Sequence, residues 1–305
     1  MRTQYVQFFE SLRNPLLTPF FLFITALGDE LFYIAAVAFF YWVWDKRLAI
    51  KLAMGITMSS YLNSFLKLLI KSPRPYASTN PEEHWIGVNV EEYKQTMGMP
   101  SGHAQGSVTF WGILAYELKN KKFWIFAIII VLLIGISRLY LAVHFLEDVI
   151  VGWILGIIIV IVFEYLWAKT EPIVEELQYQ QKIALSFSPL ILFLVATASF
   201  GFDMDAKFGA VTMGALTGIL LGHLLQERYI GIYSRPNSLL EGTVRIFVGY
   251  MILVPLVLLL SILQHTGLDN SPQSIQLFAT LIRYFFIGLI LTTMIPALFT
   301  KIEIE

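Results

Sequence analysis

The sequence contains no cysteine. That excludes a disulfide framework and any thiolate metal site. Charge is scarce as well: 14% of the 305 residues are Asp, Glu, Lys or Arg, against about 25% in an average soluble protein. The formal net charge is -1, so the clustered basic surface that nucleic-acid binding requires is missing. No nucleic-acid partner is expected. No set of His and carboxylate residues has metal-ligand spacing, so neither a metal nor another cofactor is expected. Residues 1–18 carry Glu10, Arg13 and Pro15 and lack an apolar core followed by a small-residue cleavage site. They are read as no cleavable signal peptide.

Apolar residues are abundant, at 57% of the chain. A soluble domain of this length could not bury so much apolar surface. Several apolar stretches reach about 20 residues, the length that crosses a bilayer core of roughly 30 Å. The fold class expected is therefore an all-α integral membrane protein. Nine spans are predicted, near 19–43, 48–71, 103–118, 122–141, 145–168, 183–202, 206–226, 244–264 and 277–299. The third is short, and the fourth and fifth meet in a tight connection around Ala142-Val143.

Orientation follows from the excess of Lys and Arg on cytoplasmic loops. Placing the Asp45-Lys46-Arg47 turn inside gathers Lys46, Arg47, Lys51, Lys119, Lys121, Lys122, Lys169, Lys182, Arg228, Arg235, Arg245 and Lys301 on that side. The other side keeps Arg2, Arg13, Lys67, Lys71, Arg74, Lys94, Arg138, Lys207 and Arg283. The N-terminus is thus predicted outside and the C-terminus inside a plasma (cytoplasmic) membrane. Two parts are visible. Residues 1–202 hold six spans and every motif, and residues 203–305 hold three more spans without one. The polar stretch 169–182 links the fifth and sixth spans. Gly209, Gly214, Gly218 and Gly222 recur near four-residue spacing, which lets helices approach closely. The stripe serves packing within the chain or a homodimer face.

Charged residues at membrane depth are costly and mark function by default. Here they fall in three segments. In Lys67-Leu-Leu-Ile-Lys-Ser-Pro-Arg74-Pro75, two prolines stop the helix and hold Arg74 in a stiff turn. Arg suits bidentate binding of phosphate oxygens and Lys supplies a point charge, although Lys67 and Lys71 can also simply snorkel to the interface. Pro100-Ser101-Gly102-His103 opens the third span. A helix N-terminus offers unpaired N–H groups and a positive dipole end, and Gly102 admits a close approach. An ordinary capped helix start with an interfacial histidine is the alternative. In Ser137-Arg138-Leu-Tyr-Leu-Ala-Val-His144-Phe-Leu-Glu-Asp148, His144 and Asp148 share a helix face. A carboxylate there can accept one ring N–H and leave the other nitrogen free. Taken together, cations, a helix N-terminus and two histidines converge on one membrane face. That is the inventory for in-line phosphoryl transfer, in which positioning and charge stabilisation dominate.

These three segments resemble the type 2 phosphatidic-acid phosphatases, or lipid phosphate phosphatases, which are related to vanadium haloperoxidases. The family pattern is Lys-x6-Arg-Pro, Pro-Ser-Gly-His and Ser-Arg-x5-His-x3-Asp, and residues 67–75, 100–103 and 137–148 match it throughout. The resemblance covers about residues 19–202, the six-helix core, and leaves the last three spans without a role. It implies that His144 attacks phosphorus and becomes phosphohistidine, with Asp148 orienting it. It implies that His103 protonates the leaving oxygen and then activates water. It implies that Lys67, Arg74, Ser101, the Gly102 N–H and Arg138 bind the phosphoryl oxygens, and that no metal takes part.

Weaker features remain open. Asp29 and Glu30 face the catalytic cavity, or the first span simply begins near Gly28. Asn63, four residues before Lys67, is a partner for that lysine or an interhelical contact. In the acidic loop 76–99, Trp85 and Tyr93 gate lipid access or lie in a solvated loop. Ser234-Arg235-Pro236 reads as a chance match to the first motif. The expected function is metal-independent hydrolysis of a lipid phosphate or pyrophosphate monoester at the extracytoplasmic face, with membrane lipids as surroundings. Polyprenyl (pyro)phosphate, phosphatidylglycerol phosphate, phosphatidic acid and sphingoid-base phosphate are the candidate substrates. The rivals are a lipid phosphotransferase using the same intermediate, and a transporter or scaffold keeping a relic site.

Overall fold

The computed structural model describes every residue except Met1, 77–79, 95, 201–203, 232–234, 269–270 and 301–305. Ser234 and Lys301 fall outside the described residues, as does the junction at 201–203 and as do the side chains of Arg2, Glu91, Glu92 and Lys207. The described residues form helices and no strand: α1 (Arg2–Ser11), α2 (Leu17–Ala26), α3 (Glu30–Phe39), a π-helical turn (Phe40–Trp44), α4 (Lys46–Ile70), α5 (Pro81–His84), α6 (Val90–Lys94), α7 (Gly102–Leu118) and α8 (Lys121–Tyr140). There follow α9 (Leu146–Glu176), α10 (Tyr179–Ser186), α11 (Ser188–Phe200), α12 (Met204–Leu225), a second π-helical turn (Gln226–Ile230), α13 (Leu239–Leu268), α14 (Gln273–Thr292) and α15 (Met294–Phe299).

The protein is an all-helical membrane protein. Six helical stretches are long and apolar enough to cross a membrane, and the α2–α3 pair, bent by 57°, brings the number to seven. The nine spans expected from sequence are therefore not all recovered as spans, although each falls on helices among the described residues. The two that fall short are α4 and α7. The reason is their chemistry: α7 is only 17 residues long, and both helices bury polar side chains. Gln105 Nε2 donates to Ser59 O at 2.7 Å, Asn63 Nδ2 donates to Gln105 Oε1 at 2.9 Å, and the Thr109 and Ser59 hydroxyls meet at 3.1 Å. Helices whose polar groups are satisfied by one another need no apolar surface all round.

The chain packs as two compact units, Met1–Ala35 with Met58–Ala168, and Ala36–Thr57 with Lys169–Glu305. In the first, α8 starts where Asn120 accepts the N–H groups of Lys122 and Phe123, a capping pattern that satisfies orphan donors. The α8–α9 connection is short, and Ala142 takes φ 58°, a left-handed conformation uncommon for residues with a Cβ. It is held by Tyr140, Leu141, Ala142, Val143 and Phe145 packing with Val6 and Trp85 in one buried cluster. Helices α7 and α9 approach closely at Gly152 and Gly156, where a Cβ would lie 2.8 Å from Ser101 O and 2.6 Å from Val108 Cβ.

In the second unit, α12 and α14 pack along the glycine stripe. A Cβ on Gly214 or Gly218 would lie 2.4 or 2.0 Å from the carbonyl oxygens of Leu281 and Phe285, and one on Gly222 would lie 2.1 Å from Thr292 Oγ1. The stripe is spent inside the chain, so it does not supply the alternative homodimer face. The two π-helical turns meet polar partners here: Tyr41 OH lies 3.0 Å from His223 Nδ1, and Lys46 Nζ donates to Gln226 Oε1 at 3.1 Å. Arg245 and Glu241 form a buried ion pair one helical turn apart. Arg235, of the chance Ser-Arg-Pro match, donates to Asp45 Oδ2 at 2.9 Å.

Candidate active site

The eight candidate site residues of the three motifs lie in the first compact unit. Four elements position them. Lys67 ends α4, Arg74 follows on the Pro-flanked turn, Ser101, Gly102 and His103 open α7, and Arg138 closes α8. His144 lies in the α8–α9 connection and Asp148 in the first turn of α9. Lys67, Arg74, Ser101, Arg138, His144 and Asp148 are all buried.

The His144 ring is held from both nitrogens. Nδ1 lies 3.3 Å from Asp148 Oδ2, and Nε2 lies 3.0 Å from Arg74 Nη1. A guanidinium can only donate, so Nε2 is the acceptor and the proton sits on Nδ1. Asp148 Oδ2 also accepts the Phe145 backbone N–H at 2.9 Å, which fixes the carboxylate. Burial, then the positive charges of Arg74, Arg138 and Lys67, hold the His144 pKa well below the ordinary histidine range. The imidazole is therefore neutral, with an oriented lone pair on Nε2.

Hydroxyl and carbonyl oxygens hold both arginines. Arg74 donates to Thr96 Oγ1 from Nε at 3.1 Å and from Nη2 at 2.9 Å, and to Val143 O from Nη1 at 2.9 Å. Its guanidinium stacks over the Tyr93 ring at 4.3 Å. Arg138 Nη2 donates to Tyr93 OH at 2.9 Å, and Nη1 donates to Thr25 Oγ1. Arg138 Nε and Ser101 Oγ are buried without a hydrogen-bond partner among the described residues. A guanidinium removed from water and given only hydroxyl partners is expensive unless an anion completes it. Such an arrangement suits a phosphoryl group.

The remaining motif residues complete the pocket wall. Ser101 N donates to Asp148 O at 2.9 Å, which ties the start of α7 to α9. Asn63 Nδ2 reaches Pro100 O at 3.2 Å, so this side chain anchors the Pro-Ser-Gly-His turn as well as meeting Gln105. A Cβ on Gly102 would lie 3.3 Å from Asn63 Oδ1. His103 Nε2 faces Asp29 Oδ2 at 4.0 Å. No cluster of three or more His, Asp or Glu that could hold a metal ion occurs among the described residues.

Several contributors escaped the sequence reading. Thr96 and Thr25 have no sequence signal, because each acts through an arginine distant in the chain. Tyr93, expected to gate lipid access or to lie in a solvated loop, bridges Arg74 and Arg138. Trp85, noted with it, is buried and donates from Nε1 to Pro75 O at 3.0 Å, so it braces the Arg74 turn.

Comparison with known proteins finds related families and sequences. Residues 48–171 match the PAP2 superfamily profile. Residues 210–305 match a second, described as PAP2 superfamily phosphatase, transmembrane extension. Lipid phosphate phosphatase delta of Arabidopsis thaliana is 26% identical over 222 residues, 68% of this chain and 53% of that protein. Phosphatidylglycerophosphatase B of Bacillus subtilis is 34% identical over 164 residues, 48% of this chain and 74% of that protein. Sphingosine-1-phosphate phosphatase 1 of Rattus norvegicus is 30% identical over 151 residues, 47% of this chain and 33% of that protein. The chain thus spans about half the length of the plant relative and about a third of the rat one. On the profile matches, the relatives and the intact motifs together, the chain belongs to the PAP2 superfamily.

Proposed function

We propose that this protein hydrolyses a lipid phosphate or pyrophosphate monoester through a phosphohistidine on His144. The observation that carries the reading is a neutral His144, oriented by Asp148 at 3.3 Å, beside a buried Arg138 whose described partners are neutral hydroxyls. Arg74 donates to His144 Nε2. An arriving phosphoryl group offers Arg74 charged acceptors instead, and charge-assisted hydrogen bonds are the stronger ones. Arg74 then moves from the lone pair to the substrate, and Nε2 is released to attack.

In the first step a P–N bond forms at His144 Nε2 while the P–O bond to the lipid breaks. His103 gives its proton to the leaving oxygen. In the second step His103 takes a proton from water, the water oxygen attacks phosphorus, and the P–N bond breaks to release phosphate. Lys67, Arg74, Arg138, Ser101 and the Gly102 N–H hold the non-bridging oxygens throughout. Splitting a difficult displacement through a covalent intermediate lowers each barrier, and preorganised cations stabilise the transition-state charge without reorganising.

Residues 1–202 form the catalytic part in this reading, and 203–305 a transmembrane extension. The distribution of Lys and Arg supports an active site on the extracytoplasmic face of the plasma membrane, with the N-terminus outside and the C-terminus inside. The names of the relatives support a lipid phosphomonoester as substrate class. The test is phosphate release by purified protein across a panel of lipid phosphates, with and without alcohol acceptors. Hydrolysis gives free phosphate without an acceptor, and His144→Ala abolishes it. Acceptor phosphorylation with no free phosphate would establish a phosphotransferase instead.

A further inference from the structure

The first span is broken at Leu27–Asp29, between α2 and α3, where the axis turns by 57°. The break lies against the catalytic groups. One turn before it, Thr25 Oγ1 accepts from Arg138. At the break, a Cβ on Gly28 would lie 3.3 Å from His103 Cδ2 and 3.0 Å from Ile134 Cγ2, so glycine lets the elbow lie against the imidazole. The next residue, Asp29, presents Oδ2 at 4.0 Å from His103 Nε2. The histidine is 20% exposed and the carboxylate 50%.

The other charges around His103 are cationic. Arg138 from α8, Arg74 from the turn after α4 and Lys67 from α4 all act on it, while Asp148 from α9 is engaged by His144. An acid–base histidine must carry a positive charge at one stage of each turnover. Burial disfavours that charge first, and like-charge repulsion from the three cations adds to it. Asp29 is the carboxylate that faces it.

We propose that Asp29 is a positioning residue for the acid–base step: set by the α2–α3 elbow, its carboxylate steadies the His103 imidazolium that protonates the leaving lipid oxygen. The inference rests on the phosphatase reading and adds a residue outside the three motifs.

The experiment compares kcat/KM of wild type, Asp29→Asn and Asp29→Glu on an alkyl phosphate lipid and on p-nitrophenyl phosphate. This parameter covers the steps up to departure of the alcohol. Alkoxide departure needs a proton, and nitrophenolate departure does not. Asp29→Asn should lose about tenfold on the alkyl substrate and less than about twofold on the aryl ester, with unchanged thermal unfolding. Asp29→Glu should recover most of the alkyl activity. An equal loss on both substrates would overturn the proposal. So would a lower KM at unchanged kcat, which would mean that Asp29 only repels the anionic substrate. A wild type that releases phosphate from neither ester would overturn the phosphatase reading itself; an active wild type with an indifferent Asp29→Asn variant would overturn only the role of Asp29.

Discussion

At the scale of single residues, the His144 ring is held at both nitrogens, by Asp148 at 3.3 Å and by Arg74 at 3.0 Å. The four-residue interval from His144 to Asp148 places both on one helix face, and the structure joins them at 3.3 Å. The sequence could not supply what lies on the other nitrogen. Arg74 is 70 residues away in the chain and reaches Nε2 only because Thr96, Tyr93 and Val143 O hold its guanidinium there. Contacts between loops carry no periodicity to read. Burial and the surrounding cations hold His144 below its ordinary pKa, which has a definite pH consequence. As the pH falls below about 6.5, the unfolded chain takes up a proton at this position and the folded chain does not. Folded-state stability therefore declines in that range, while the neutral imidazole persists. Nitrogen NMR of histidine-labelled protein, with His144→Ala used for assignment, should show the His144 ring still neutral at pH 6.5. A midpoint at or above that value would contradict the assignment.

At the scale of elements, every expected span falls on helices among the described residues, the first across the α2–α3 break and the sixth across α10 and α11, because apolar runs of this length leave the backbone little choice in a bilayer. The count was less legible. Helices α4 and α7 satisfy Ser59, Asn63, Gln105 and Thr109 among themselves, and they fall short of the length or apolarity of a span although the sequence reading counts them as spans. The elbow between α2 and α3 was visible only as Gly28 beside two acidic residues. The glycine stripe of α12 was visible, but not the helix it meets, since spacing does not name a partner. In lipid, helix association depends on close packing more than on apolar burial. Gly218→Val would drive a side chain into the Phe285 carbonyl, which an added Cβ would already approach at 2.0 Å. Overpacking of this kind costs about 1–3 kcal/mol. Thermal unfolding in detergent should show a clear drop in Tm, and an unchanged Tm would mean that α12 and α14 are not packed in this register.

At the scale of the whole molecule, composition pointed to the membrane and the motifs to the family, while the charge distribution gave the orientation proposed here. The absence of cysteine makes that orientation directly testable, because one introduced thiol is the only one in the chain. Glu82→Cys, on the short exposed helix α5, should react with a membrane-impermeant maleimide in intact cells. Lys122→Cys, at the start of α8, should react only after the membrane is opened. The reverse pattern would place the site on the cytoplasmic face.

The central claim is the covalent intermediate on His144. It is tested by mixing purified protein with a lipid phosphate in the presence of EDTA, quenching in alkali, which preserves phosphohistidine, and analysing the peptides by mass spectrometry. A phosphoryl group on the peptide carrying His144, trapped in wild type and missing in His144→Ala, is the expected result. Full phosphate release with no phosphoryl group at His144, and undiminished turnover in His144→Ala, would contradict it.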